Sequence, residues 1–198
     1  MAQRWQDVEQ FTVEMATDDL ERMGGINPLL LAFAGDQQSF LVFLRPFAKG
    51  RYHKPLTEVL SLAMALDCDR LAFAAPGRLT SLDDPIPPVT DGADLRQRAL
   101  VVEYADASAG RVRRHSLVHP FDHTGGVVLW GETVRLAAAS GWIPRALGVC
   151  VEQRRRLSAL ATDADIRGQT QRCVMLGHEL YPGPHLEAHL ARDHTARA

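Results

Sequence analysis

Apolar residues follow two different patterns along the chain. Leu29-Leu30-Leu31-Ala32-Phe33 and Phe40-Leu41-Val42-Phe43-Leu44 are continuous runs separated by Gly35-Asp36-Gln37-Gln38, which predicts a β-hairpin. Neither run alternates with polar residues, so both faces of these strands are expected to lie under other layers. Leu71, Phe73 and Ala75 do alternate and predict a third strand closed by Pro76-Gly77. Leu100, Val102 and Tyr104 mark a fourth strand, residues 111–118 a fifth after a turn at Asp106–Gly110, and Val127–Trp130 a sixth. Short turns between the last three favour an antiparallel meander.

Helical spacing appears elsewhere. Trp5, Val8, Phe11 and Met15 have that rhythm, although Phe11-Thr12-Val13-Glu14-Met15 also alternates like a strand. Thr17 before Asp18-Asp19 reads as the cap of a separate short helix ended by Gly24-Gly25. Pro55 suits a first helical turn, and Leu56, Val59, Leu60 and Ala63 follow as an amphipathic stripe. Ile143-Pro144 opens a tract in which Leu147, Cys150, Val151, Arg154 and Leu157 repeat at helical spacing. A break at Thr162-Asp163 and a second helix to about Glu179 are expected, then a stop at Pro182-Gly183-Pro184.

These elements predict an α+β fold: a mostly antiparallel five- to six-stranded sheet, with the helix at about 55–67 on one face and the C-terminal helices at about 144–180 on the other. Residues 1–181 form one domain in this reading, and 182–198 a flexible tail.

Composition narrows the class. The chain has 198 residues, 46% of them hydrophobic and 23% charged, with a formal net charge of −2; this excludes disordered and collagen-like chains. A near-neutral charge also argues against a dedicated nucleic-acid binder. The bias of 20 Arg against 2 Lys, with abundant Ala, fits a GC-rich coding sequence. Met1–Met15 has no unbroken apolar core, so no secretory leader is expected, and no stretch is apolar enough to span a bilayer. Both points predict a cytoplasmic protein. Cys68, Cys150 and Cys173 are odd in number and far apart, which predicts buried thiols rather than disulfides or a zinc site.

Four segments carry candidate chemistry. Residues Arg45 to Lys54 hold both lysines of the chain ahead of a helix N-terminus. Cations there are unfavourable by about 0.3–1 kcal/mol each unless offset. Glu58 can supply part of that offset and a bound phosphate or carboxylate the rest, so Lys49, Arg51, Tyr52, His53 and Lys54 are the predicted anion- or partner-binding residues. His115, His119, Asp122 and His123 are metal-capable. On a straight strand, however, His115 and His119 stand about 13 Å apart, so only a bend at Pro120 brings His119, Asp122 and His123 together. His185 and His189 sit four apart, but in the expected tail. The connection Arg78–Gln97, of about twenty residues, includes Asp83-Asp84-Pro85-Ile86-Pro87-Pro88 and reads as a strap or binding loop.

No GxSxG elbow, nucleotide loop or dinucleotide fingerprint is present. The leading expectation is therefore a non-catalytic binding or regulatory domain for an anionic ligand or acidic partner, with no catalytic residue, metal or cofactor, and with self-association into a homodimer open. The alternatives are a metal-dependent hydrolase using His119, Asp122 and His123, joined by His53 or His115, and a nucleic-acid-associated accessory protein using Arg111, Arg113 and Arg154–Arg156.

Overall fold

The computed structural model describes residues 5–48, 51–79, 96–136 and 141–192. The order is α1 (Trp5–Met23), β1 (Leu29–Ala34), β2 (Gln37–Phe43), α2 (His53–Ala65), β3 (Arg70–Arg78), β4 (Arg98–Asp106), β5 (Arg113–Thr124), β6 (Val127–Trp130), β7 (Val134–Leu136), α3 (Trp142–Ser158), α4 (Asp163–Met175), β8 (Glu179–Pro182) and α5 (Pro184–Ala191). Among the described residues, eight strands form one antiparallel sheet in the order β6-β5-β4-β3-β1-β2-β8, with β7 also paired to β5. The class is α+β, and the sheet is larger than expected. The two additional strands, β7 and β8, are only three and four residues long, too short to leave an apolar periodicity.

Burial explains the doubly apolar central strands. Leu30, Ala32, Phe40, Val42, Leu71 and Phe73 pack into one core with α2, α3, α4 and α5. Leu29, Leu31, Phe33, Ala72, Ala74, Leu100, Val102 and Tyr104 form a second core on the opposite face, beneath α1. The expected placement of helices is thus corrected: α2 lies with the C-terminal helices, and α1 supplies the other cover. The cause is α1 itself. Val8, Thr12, Ala16 and Leu20 bury one continuous stripe at four-residue spacing over 19 residues, where a strand or two pieces were equally legible. Thr17 caps nothing; its hydroxyl donates to the Val13 carbonyl within the helix and accepts from Trp130 Nε1. The helix ends where Gly24, at φ +70°, takes the left-handed conformation and its N–H closes on the Leu20 carbonyl.

Within the segment expected to fray, residues 182–192 carry structure. β8 pairs with β2, α5 follows with Pro184 in its first turn, and Leu186 is fully buried. His185 Nδ1 lies 2.9 Å from Ser39 Oγ, and His189 Nδ1 lies 2.8 Å from Asp163 Oδ1, so both histidines tie α5 to its surroundings. Long-range burial of one leucine outweighs the local Pro-Gly-Pro signal here.

The ends of the long β3–β4 connection are joined: the Leu79 N–H donates to the Gln97 carbonyl and Arg78 Nη1 to the Arg96 carbonyl. Its middle, including Asp83–Pro88, Asp91 and Asp94, lies outside the described residues. Among the described residues, no helix is long and apolar enough to cross a membrane. All three cysteines are free and buried. Burial pushes the Cys68 thiol up to about 12 and the Cys173 thiol to about 11, which keeps both protonated and poor as nucleophiles.

Candidate anion-binding site

The predicted 45–54 segment is divided by the fold. Arg45 leaves the end of β2 and meets Glu58 of α2 through two hydrogen bonds, Nε to Oε2 at 2.9 Å and Nη2 to Oε1 at 3.2 Å. His178, from the turn before β8, completes the cluster. Its Nδ1 accepts from the Arg45 backbone N–H at 3.1 Å, and its Nε2 lies 3.0 Å from Glu58 Oε2. That accepting Nδ1 fixes the proton on Nε2, which donates to the carboxylate. Arg45, then burial and His178 in opposite senses, set the Glu58 carboxyl, and the net result is below its ordinary range. Burial, only partly opposed by Glu58, holds the His178 ring below its usual value and hence neutral. Glu58 is therefore engaged by Arg45 and His178.

Of the five predicted binding residues, Lys49 lies outside the described residues. Arg51 is exposed. Tyr52 is drawn into apolar packing, with ring centroids 4.9 Å from Phe47 and 5.9 Å from Phe73, and its hydroxyl reaches the Pro76 carbonyl at 3.4 Å. His53 rests against Trp142 at 3.9 Å between centroids. Lys54 and His53 do line one cavity of about 630 Å³ together with Arg172 of α4, but Glu58 lines it as well.

A stronger concentration of cations lies between the β4–β5 turn and α3. A cavity of about 610 Å³ there is lined by Arg111, Arg114, Arg145, Arg154 and Arg155, with Glu152 as its single acid. Strand alternation selects which β5 arginine takes part. Tyr104, Leu117 and His115 face α1, with Tyr104 and His115 stacked at 4.6 Å, so Arg113, two residues before His115, shares that side and Arg114 turns toward α3. Gly148 admits it: a Cβ at this position would stand 3.0 Å from Arg114 Cδ. Arg145 and Arg155 project from α3, while Arg154 falls on its buried stripe with Leu147, Cys150 and Val151. Arg154 is 6% exposed and its Nε lies 3.4 Å from Asp67 Oδ1. Arg111, Arg114, Arg145 and Arg155 are exposed and have no carboxylate within ion-pair distance among the described residues.

Arg114 and Arg145 escape a sequence reading that looks for runs. They are 31 positions apart and meet only because α3 crosses β4 and β5. The Glu152–Arg156 run itself does not act as a unit, since Arg154 points inward and Arg156 does not line the cavity.

The metal-capable cluster does not assemble. β5 runs as one unbroken strand from Arg113 through Pro120 to Thr124, and strand alternation places His119 and Asp122 on opposite faces. Among the described residues, no three His, Cys, Asp or Glu side chains are grouped to hold an ion. His115 stacks on Tyr104, and His53 lies on the other side of the sheet against Trp142.

Comparison with protein-family models, curated proteins and solved structures finds no match.

Proposed function

We propose that this protein is a non-catalytic binding module that takes an anionic ligand, or an acidic segment of a partner, between the β4–β5 turn and α3. The observation that carries this reading is the set of four arginines without acidic partners, Arg111, Arg114, Arg145 and Arg155, lining one cavity on a chain whose formal net charge is −2. Like charges gathered in this way repel one another, and a bound anion relieves that repulsion. Guanidinium forks suit phosphate or carboxylate, because each offers two parallel donors to two oxygens. The sites are exposed, so the attraction is screened by salt and acts within roughly 10 Å at 0.1 M. A non-catalytic role is favoured by the lining itself, which offers donors and a single carboxylate and no nucleophile paired with a base. The His53, Lys54 and Arg172 cavity is the weaker candidate because Glu58 shares it.

The test is titration with inorganic pyrophosphate and with a phosphorylated acidic peptide, followed by calorimetry at two salt concentrations. Expected is saturable binding that weakens as salt rises and falls at least tenfold in Arg114→Ala/Arg145→Ala, while Lys54→Ala changes it less than twofold. Binding that survives the arginine pair and disappears in Lys54→Ala would move the site to the α2 N-terminus. Retention of a single-stranded oligonucleotide by the same arginines, with no pyrophosphate binding, would replace this reading with the nucleic-acid one.

A further inference from the structure

The two edges of the sheet are built differently. β8 closes one side with four residues and carries Glu179 at its start and Pro182 at its end, a charge and a proline of the kind that keep edges from pairing. The other side is formed by β6 and β7, which lie along β5 as one outer row, residues 127–136. Among the described residues, no strand pairs with the far side of this row. It contains no lysine or proline. Four of its side chains are apolar and strongly exposed: Val127 at 58%, Leu129 at 66%, Val134 at 46% and Leu136 at 47%. Exposed apolar side chains along an unpaired edge mark a surface that another chain can cover.

Register decides how these four are arranged. Residues 131–133 stand opposite only 119–120, so the row carries one bulge and its alternation shifts by one residue there. Val127 and Leu129 pair with Thr124 and Asp122, and Val134 and Leu136 pair with Val118 and Ser116. Those four β5 residues alternate onto one face, so the four exposed apolar side chains share that face as well. Main-chain direction follows the same rule. The Gly131 N–H donates to the Pro120 carbonyl at 2.8 Å, so Ser116, Val118, Asp122 and Thr124 also turn their main-chain groups toward the row. Val127, Leu129, Val134 and Leu136 therefore spend theirs on β5, while Val128, Trp130 and Arg135 direct theirs outward.

This pattern is complementary to itself. About a two-fold axis between Gly131 and Glu132, an antiparallel copy brings Val128 of one chain opposite Arg135 of the other, with outward main-chain groups meeting. The same register sets Val127 of one copy beside Leu136 of the other, and Leu129 beside Val134, at both ends of the row. Such matching under two-fold rotation is what an isologous interface requires. A ten-residue edge laid against its copy covers roughly 1,000–1,200 Å² in total, the lower bound of a specific interface.

We propose that the β6–β7 edge binds a second copy of this chain, joining the two sheets by antiparallel pairing at both ends of the row. The edge shares no residue with the arginine cavity. The axis brings the two Glu132 residues near each other, a like-charge approach that salt screens.

The test is sedimentation equilibrium of the full chain across a range of concentrations. A dimer with a dissociation constant on the order of 10–100 µM is expected for an interface of this size. Leu129→Lys alone and Val134→Glu alone should each weaken it at least tenfold. The double variant, in which the two new charges face each other across the axis, should recover to within threefold of the unaltered protein. Arg135→Pro removes an outward N–H while sparing the ladder to β5; it should also abolish the dimer and serves if the charged variants fail to fold. Arg145→Ala should leave association unchanged, and added salt should tighten it. A chain that stays monomeric up to about 1 mM, or a double variant no tighter than the single ones, would overturn the interface. Association that weakens with salt and disappears in Arg145→Ala would overturn it too, by assigning self-association to the arginines.

Discussion

Around Glu58, an arginine, a carboxylate and an imidazole from three separate stretches of chain satisfy one another, with the His178 side chain 0% and the Glu58 side chain 10% exposed. Between the β4–β5 turn and α3, four exposed arginines face one cavity, and among the described residues none of them has a carboxylate within ion-pair distance, although Glu152 lines the same cavity. Both regions belong to the helical side of the sheet, yet the first is arranged to hold the fold and the second has charge left over for something outside it. A basic loop seen in sequence does not by itself distinguish these two outcomes. What distinguishes them is whether the fold brings an acid to each cation.

The comparison predicts opposite responses to mutation. Removing the carboxylate in Glu58→Ala leaves Arg45 and the buried His178 Nε2–H without an acceptor, and breaking a buried pair costs about 3–5 kcal/mol. Arg45 is 22% exposed, so a value of about 3 kcal/mol is expected in urea unfolding. Arg114→Ala and Arg145→Ala, which leave no stranded partner, should each stay within about 0.5 kcal/mol of the unaltered protein. A small loss in Glu58→Ala, or a large one in the arginine variants, would dissolve the distinction.

Acid should separate the regions as well. His178 has a folded pKa below its unfolded value because burial disfavours the imidazolium. At neutral pH it is uncharged in both states and contributes nothing to the pH dependence. As pH falls below about 6.5 the unfolded chain takes up the proton first, so stability declines. Glu58, held low chiefly by Arg45, contributes stability above its ordinary range that is lost as pH falls through its folded pKa. Unfolding free energy should therefore begin to fall near pH 6.5 and fall further in the carboxylate range. His178→Gln should flatten the first part without abolishing it, since burial also lowers His185, His119 and His115. A profile unchanged by His178→Gln between pH 5 and 7 would remove His178 from the account. Pyrophosphate affinity at the arginine cavity should track only the ligand's own titration across that range.

The strands of the sheet's centre were legible because their apolar runs demanded two covering layers, and both layers exist. Which helix covers which face was not legible, because the stripe of α1 contains Thr12 and Ala16, whose burial no hydropathy pattern announces. The same limit applies to the candidate sites. Arg45 and His178 lie 133 positions apart, and nothing local in Gly177-His178-Glu179 signals that the imidazole will orient Arg45 and Glu58. His119 stood out as a titratable residue, but as a metal ligand. Only the unbroken pairing of β5 through Pro120 and the approach of Glu9 from α1 give it a different setting.

The finest discrimination comes from Gly148→Ala. In most exposed helical positions this change stabilises by about 1 kcal/mol, because glycine has more backbone freedom to lose. Here the added methyl would stand 3.0 Å from Arg114 Cδ, so the arginine must shift by a few tenths of an ångström. Arg114 is exposed and its chain is flexible, so the shift is inexpensive, and the net stability change should lie between no effect and a gain of about 1 kcal/mol. Anion binding has no such latitude, since a displaced fork loses alignment with the oxygens it is meant to meet. A fall of about threefold in pyrophosphate affinity is expected, from partial misalignment of one of four guanidinium groups. If instead Gly148→Ala binds as well as the unaltered protein while Arg114→Ala does not, Arg114 acts through its charge alone, and the cavity is a diffuse basic surface rather than a shaped site.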